Sequence, residues 1–140
     1  MTGPDYQGLG VGTAARRALA HAGLRPADVD CIHLHGTGTQ ANDSTEAIGL
    51  GNVFDGRTPP AFGTKGQTGH TLGAAGVLEV LLAVDALRRG VAPPNHGLGA
   101  TDVDSRLDLT TAPRPLPRAR HALKVASGFG GVQAALVVAQ

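Results

Sequence analysis

Short apolar runs that break off into glycine-bracketed polar turns constrain this chain more than any other feature. Cys31-Ile32-His33-Leu34-His35 runs into Gly36-Thr37-Gly38-Thr39. Ala61-Phe62-Gly63 precedes Lys65-Gly66-Gln67-Thr68-Gly69-His70, and residues 122–126 run into Ser127-Gly128-Phe129-Gly130-Gly131. Apolar runs this short, bounded by glycine, read as strands. Helices are expected at 11–21, from an Asp43 cap through Glu46 to about 53, and at 72–89. The last of these has Arg88 and Arg89 at the negative end of its dipole and stops at Gly90. An edge strand is expected at 107–110, loops at 97–106 and 113–117, and a hairpin-like pair at 122–126 and 132–139. Strands and helices alternate first and a strand pair ends the chain, which makes an α/β domain with a mixed sheet covered by helices.

Composition narrows the class. The 140 residues suit one small domain, taken as 1–140. Aromatics are 3 % against 41 % hydrophobic residues, so Ala, Val, Leu and Ile must fill the core. A net charge of +1 is too weak a field for a dedicated nucleic-acid binder. One cysteine excludes an intrachain disulfide framework. No apolar run resembles a signal peptide or spans a bilayer, so a soluble, cytoplasmic protein with no membrane or nucleic-acid partner is expected.

Strand ends followed by glycine loops are where α/β folds place ligands. His35, His70 and Lys65 converging there would make an electropositive pocket, and neutral imidazoles or glycine-flanked N–H groups would donate to a developing oxyanion. The same residues also read as structural groups: hydrogen-bonded histidines, a helix cap at His70, a surface charge at Lys65. The residues alone stop at an α/β domain with a pocket suited to anions. Six histidines show no HExxH spacing, and His33 with His35 is a poor ligand set, so no metal site is expected.

Taken jointly, the motifs resemble the C-terminal half of the β-ketoacyl synthases, condensing enzymes of fatty acid and polyketide assembly with the thiolase fold. Residues 29–39 with Asp43 and Glu46 resemble that family's first histidine motif. Residues 63–76 resemble its lysine and second-histidine motif. Val91-Ala92-Pro93-Pro94-Asn95 resembles its Pro-Pro-Thr-Xaa-Asn segment shortened by one, and Gly128-Phe129-Gly130-Gly131 its C-terminal glycine loop. The resemblance implies a thiolase-like fold, C-terminal half only. It also implies an acyltransferase activity, the decarboxylative condensation of a malonyl-carrier thioester with an acyl chain on a cysteine. His35 and His70 would stabilise the enolate. Lys65 would anchor a charge network with Asp43, Glu46 and Glu79. Thr37 and Thr39 would hold the phosphopantetheine arm, and the Phe129 N–H would form half of an oxyanion hole. No cofactor of the chain's own is implied, because substrates arrive on an acyl carrier protein.

The resemblance has gaps that shape the expected partners. The nucleophilic cysteine of the family lies in its N-terminal half. Cys31 sits in an apolar strand and is expected to be a buried, inert thiol. Val125-Ala126-Ser127 replaces the Asn-Ser-Phe common in the family, removing a gate phenylalanine, and Gln133 stands where many members have Asn. The leading expectation is one subunit of a split ketosynthase whose N-terminal half supplies the cysteine. Its partners would include a second ketosynthase or chain-length-factor-like subunit and the acyl carrier protein. The alternatives are a non-catalytic, chain-length-factor-like partner subunit, or a fragment of a full synthase. The 72–87 helix face is expected to be exposed and apolar without its other half.

Overall fold

The computed structural model describes residues 5–99 and 104–140. Helix α1 (Leu9–His21) buries Val11, Ala15 and Leu19, four residues apart on one face. A 3-10 turn (Pro26–Asp28) leads into β1 (Cys31–His33), followed by α2 (Gln40–Val53), β2 (Pro60–Phe62) and the short α3 (Lys65–Thr68). A second 3-10 turn (Leu72–Ala74) opens α4 (Ala75–Arg89), which Gly90 ends in the left-handed conformation, φ 63°. Then come β3 (Val91–Ala92), β4 (Asp108–Leu109), β5 (Arg114–Pro115) and β6 (His121–Ser127). A final 3-10 turn (Phe129–Gly131) connects to β7 (Gln133–Ala139).

Five strands form a mixed sheet in the order β4-β2-β1-β6-β7, and β3 pairs with β5 separately. Neighbours from β4 to β6 run parallel, with Ile32 opposite Ala61 on one side and Leu123 on the other. β7 returns antiparallel to β6 as the expected hairpin. The two-residue period of the strands divides the core. Ile32, Leu34, Leu123 and Val125 pack with Val11, Leu19 and Leu50 beneath α1 and α2. Cys31, Phe62, Ala122 and Val138 pack with Ala83 and Leu87 of α4 on the opposite face. The odd-numbered residues of β1 and the even-numbered residues of β6 therefore look toward α4.

Glycine lets α1 and α2 touch. A Cβ at Gly49 would stand 2.3 Å from Val11 Cγ1 and 2.5 Å from the Gly8 carbonyl oxygen, closer than any side chain tolerates. Among the described residues, no helix is long and apolar enough to cross a membrane.

Several boundaries differ from the sequence-based expectation. β1 ends at His33 rather than His35: Leu34 still bonds across to Phe62, but the N–H groups of His35 and Gly36 turn to a side-chain acceptor. α2 starts at Gln40 with Thr39 as its N-cap; Asp43 lies in its first turn, donating its backbone N–H to the Thr39 carbonyl, and caps nothing. α3 was not expected from a segment so rich in glycine, and the proline-rich 113–117 loop contains β5. Residues 100–103 of the expected 97–106 loop lie outside the described residues, as do residues 1–4 of the chain's lead-in.

Candidate active site

The turn after β1 is organised by one carboxylate. Leu34 still donates its N–H to the Phe62 carbonyl at 2.8 Å. The N–H groups of His35 and Gly36 instead reach Glu46 Oε1 and Oε2, at 2.6 and 3.0 Å. Glu46 is buried in α2, so these bonds satisfy the buried N–H of His35 and the half-buried one of Gly36. Burial pushes its carboxyl above the ordinary value, against the pull of the two N–H donors. Gly36 and Gly38 adopt φ 50° and 72°, a conformation L side chains resist. Thr37 and Thr39 share a hydroxyl–hydroxyl bond of 2.8 Å in the same turn.

Lys65 opens α3 and is buried. Its ammonium donates to the His35 carbonyl, pairs with Glu79 Oε1 of α4, and lies 3.4 Å from His35 Nδ1. An ammonium has only protons to offer, so His35 Nδ1 presents its lone pair and the neutral ring carries its proton on Nε2. Burial first, then the charges of Lys65 and Lys124, push the His35 imidazole down to about 4. The ring is therefore neutral at physiological pH. Burial pushes the Glu79 carboxyl up, but the ammoniums of Lys124 and Lys65 beside it outweigh that and hold Glu79 below its usual value.

His70 follows Gly69, which turns the chain out of α3 at φ 70°. Leu72 donates its N–H to His70 Nδ1 at 3.1 Å, which leaves the proton of the neutral ring on Nε2 here too. Leu72 holds this bond from a left-handed backbone, φ 51°, unusual for a leucine. The His35 and His70 rings lie edge to face, centroids 5.7 Å apart and planes at 82°. Two Nε2–H donors on adjacent imidazoles suit one anionic oxygen. A cavity of about 830 Å³ is lined by Leu34, Thr37, Lys65, His70, Asn95 and His96 among others; His35 is buried behind this lining and is not part of it. Asn95 ties the strand ends together, accepting from the Gly63 N–H at 2.6 Å and donating to the Ala61 and Thr110 carbonyls at 3.0 Å each.

The structure brings His35, His70, Lys65 and Glu79 together and leaves other expected members apart. Glu46 serves the backbone of the His35 turn rather than Lys65, and Asp43 accepts from Asn42 Nδ2 at 3.0 Å. Lys65 takes its carboxylate from Glu79 of α4 instead. Phe129 is 94 % exposed in the β6–β7 connection and does not line the cavity. Cys31 is fully buried, and burial with the nearby Asp30 charge pushes its thiol up to about 12. Lys124 was missed. Its signal was a lysine inside Ala122-Leu123-Lys124-Val125-Ala126, an otherwise apolar strand. Among the described residues, no three or more His, Cys, Asp or Glu side chains gather to hold a metal.

Comparison with known proteins follows the same lines. The family model described as "Beta-ketoacyl synthase, C-terminal domain" matches residues 1–99. The chain is 39 % identical over 137 residues to the 3-oxoacyl-[acyl-carrier-protein] synthase 2 of Mycobacterium bovis, covering 97 % of this chain and 33 % of that protein. It superposes on the ishigamide ketosynthase/chain length factor with a TM-score of 0.86 and 32 % identity, over 93 % of this chain and 32 % of that one. On the ketosynthase ApeO in complex with its chain length factor ApeC, from Xenorhabdus doucetiae, the TM-score is 0.87 and the identity 34 %, over 99 % and 35 %. These likenesses make the fold thiolase-like. The chain spans about a third of the length of the curated relatives it matches.

Proposed function

The chain belongs to the β-ketoacyl synthase family, whose C-terminal domain it carries, and from that premise we propose that it supplies the enolate-stabilising side of a decarboxylative Claisen condensation. A malonyl thioester on an acyl carrier protein loses carbon dioxide when its carbon–carboxyl bond breaks. The electron pair moves into an enolate whose negative charge rests on the thioester oxygen. The Nε2–H groups of His35 and His70 donate to that oxygen, and both rings must be neutral and share a tautomer to do so. The enolate carbon then attacks an acyl thioester on a cysteine of the N-terminal half. That thiolate departs, leaving a β-ketoacyl chain on the carrier.

The observation that carries this reading is the paired imidazoles, 5.7 Å apart with each Nδ1 already engaged. Lys65 fixes the first ring through the Glu79 ion pair. The Phe129 N–H donates to the acyl-cysteine carbonyl, and Thr37 with Thr39 holds the pantetheine arm beside the cavity. Cys31 is no candidate nucleophile, being buried with a raised pKa. The N-terminal half is the natural cover for the apolar groups left exposed around α4 and β7: Leu72, Val77, Leu81, Val132 and Leu136. Val77 and Leu81 are one helical turn apart and share a face.

The test uses the synthase assembled with its cysteine-bearing half. His35→Ala and His70→Ala should abolish condensation, while mass spectrometry still finds the acyl group on the partner cysteine and size exclusion finds the assembly intact. Unchanged turnover in both variants would make the chain a non-catalytic subunit.

A further inference from the structure

Lys124 has no part in the chemistry above, yet it is buried in the middle of β6, 2 % exposed. Strand alternation turns it toward α4, onto a face it shares with Cys31, Phe62, Ala122 and its register neighbour His33. Its Nζ stands 2.8 Å from Glu79 Oε2, while Lys65 takes Oε1 of the same carboxylate. The Oε2 contact is an ion pair rather than a directed hydrogen bond. The directed bonds of this ammonium go to the carbonyls of Leu34, at 3.3 Å, and Val125. Leu34 immediately precedes His35. One carboxylate between two ammoniums leaves the cluster with one unbalanced positive charge. A core shaped for stability alone would be served as well by an apolar residue here.

We propose that Lys124 is a positioning residue for the histidine pair. It anchors the far oxygen of Glu79 and the Leu34 carbonyl, and its charge adds to burial and to the Lys65 charge in disfavouring the imidazolium, so that the neutral His35 that donates from Nε2 persists further into acid. Every element packed around His35 enters this balance. Burial disfavours a charged ring most; Lys65 of α3, Lys124 of β6 and His70 after α3 add to that, and Glu79 of α4 opposes it. Glu46 of α2 meets His35 through its backbone N–H. Burial lowers Lys124's own pKa, and the Glu79 pair with the more distant Glu46 charge opposes that. The catalytic consequence rests on the enolate-donor reading; the electrostatic effect does not.

The test is an NMR titration of the His35 ring in isotope-labelled chain, with Lys124→Met, which keeps the stem and removes the charge, and Lys124→Arg, which keeps the charge. The Met variant should raise the His35 midpoint by on the order of one pH unit, about tenfold more imidazolium at a given acidic pH. The Arg variant should stay near the wild-type midpoint. A folded Met variant with an unmoved midpoint overturns the proposal. Lys124→Gln, which retains an N–H donor for the carbonyls, gives the same reading if the Met variant does not fold. In the assembled synthase the acid limb of condensation should rise in parallel. A moved midpoint with condensation unaffected supports the electrostatic proposal and counts against the functional reading.

Discussion

Acid should destabilise this fold through His33, and the structure gives the size of the effect. The ring is fully buried and meets Phe62 edge to face, centroids 4.8 Å apart. Nδ1 lies 2.9 Å from the Leu34 carbonyl, which can only accept, so the proton is on Nδ1. Nε2 then accepts from the Thr64 hydroxyl at 3.2 Å, and Thr64 immediately precedes Lys65. Burial first, then the Lys124 charge, push this imidazole from 6.5 down to about 4. Unfolded, the ring takes its proton near 6.5; folded, it resists until about 4. Its stabilising contribution is therefore complete above about pH 6.5 and is lost as pH falls through that window, by about 1.4 kcal/mol per unit and roughly 3 kcal/mol in all. Urea unfolding at a series of pH values, with His33→Gln as the non-titrating reference, isolates the effect because His35 titrates in both chains. Between pH 7 and 5 the wild type should lose about 2 kcal/mol more than the variant. Parallel curves for the two proteins would refute the reasoning.

Three further outcomes are expected. Glu46→Ala strands the buried N–H of His35 and the half-buried N–H of Gly36, so urea unfolding should show a loss on the order of 2 kcal/mol, with Glu46→Gln losing less. Gly49→Ala drives a methyl into Val11 and the Gly8 carbonyl, and thermal or urea unfolding should report a loss of about 1–3 kcal/mol from the separated helices. Cys31 should resist thiol reagents in the native chain and react once urea opens the core; fast native labelling, or an acyl group on Cys31 after incubation with an acyl-carrier thioester, would contradict its burial.

The sheet was legible because its strands are short apolar runs closed by glycine, and because Gly90 and the paired arginines mark the end of α4. The pairing of His35 with His70 was legible only as strand-end placement joined to a family resemblance. Which carboxylate serves which donor was not legible. Asp43 and Glu46 lie one turn apart on α2 and look equally available to Lys65. Only the fold shows that the His35 turn needs an acceptor for two N–H groups and takes Glu46 for them. Lys124 was hidden for a related reason. A lysine in a strand reads as an exposed edge residue until β7 covers β6 on one side, β1 on the other, and α4 lies across its face.

Enolate formation is where the two imidazoles act, and carbon dioxide release reports it without the later steps. Labelled malonyl-carrier thioester is given to the assembled synthase with its partner cysteine already acylated, and label released as carbon dioxide is counted for wild type, His35→Ala and His70→Ala. Losing one oxyanion donor typically costs about 100- to 1000-fold. Each single variant should fall by about that factor, with the acyl group remaining on the partner cysteine. Release at the wild-type rate from either variant would contradict the assignment of that ring as a donor to the thioester oxygen.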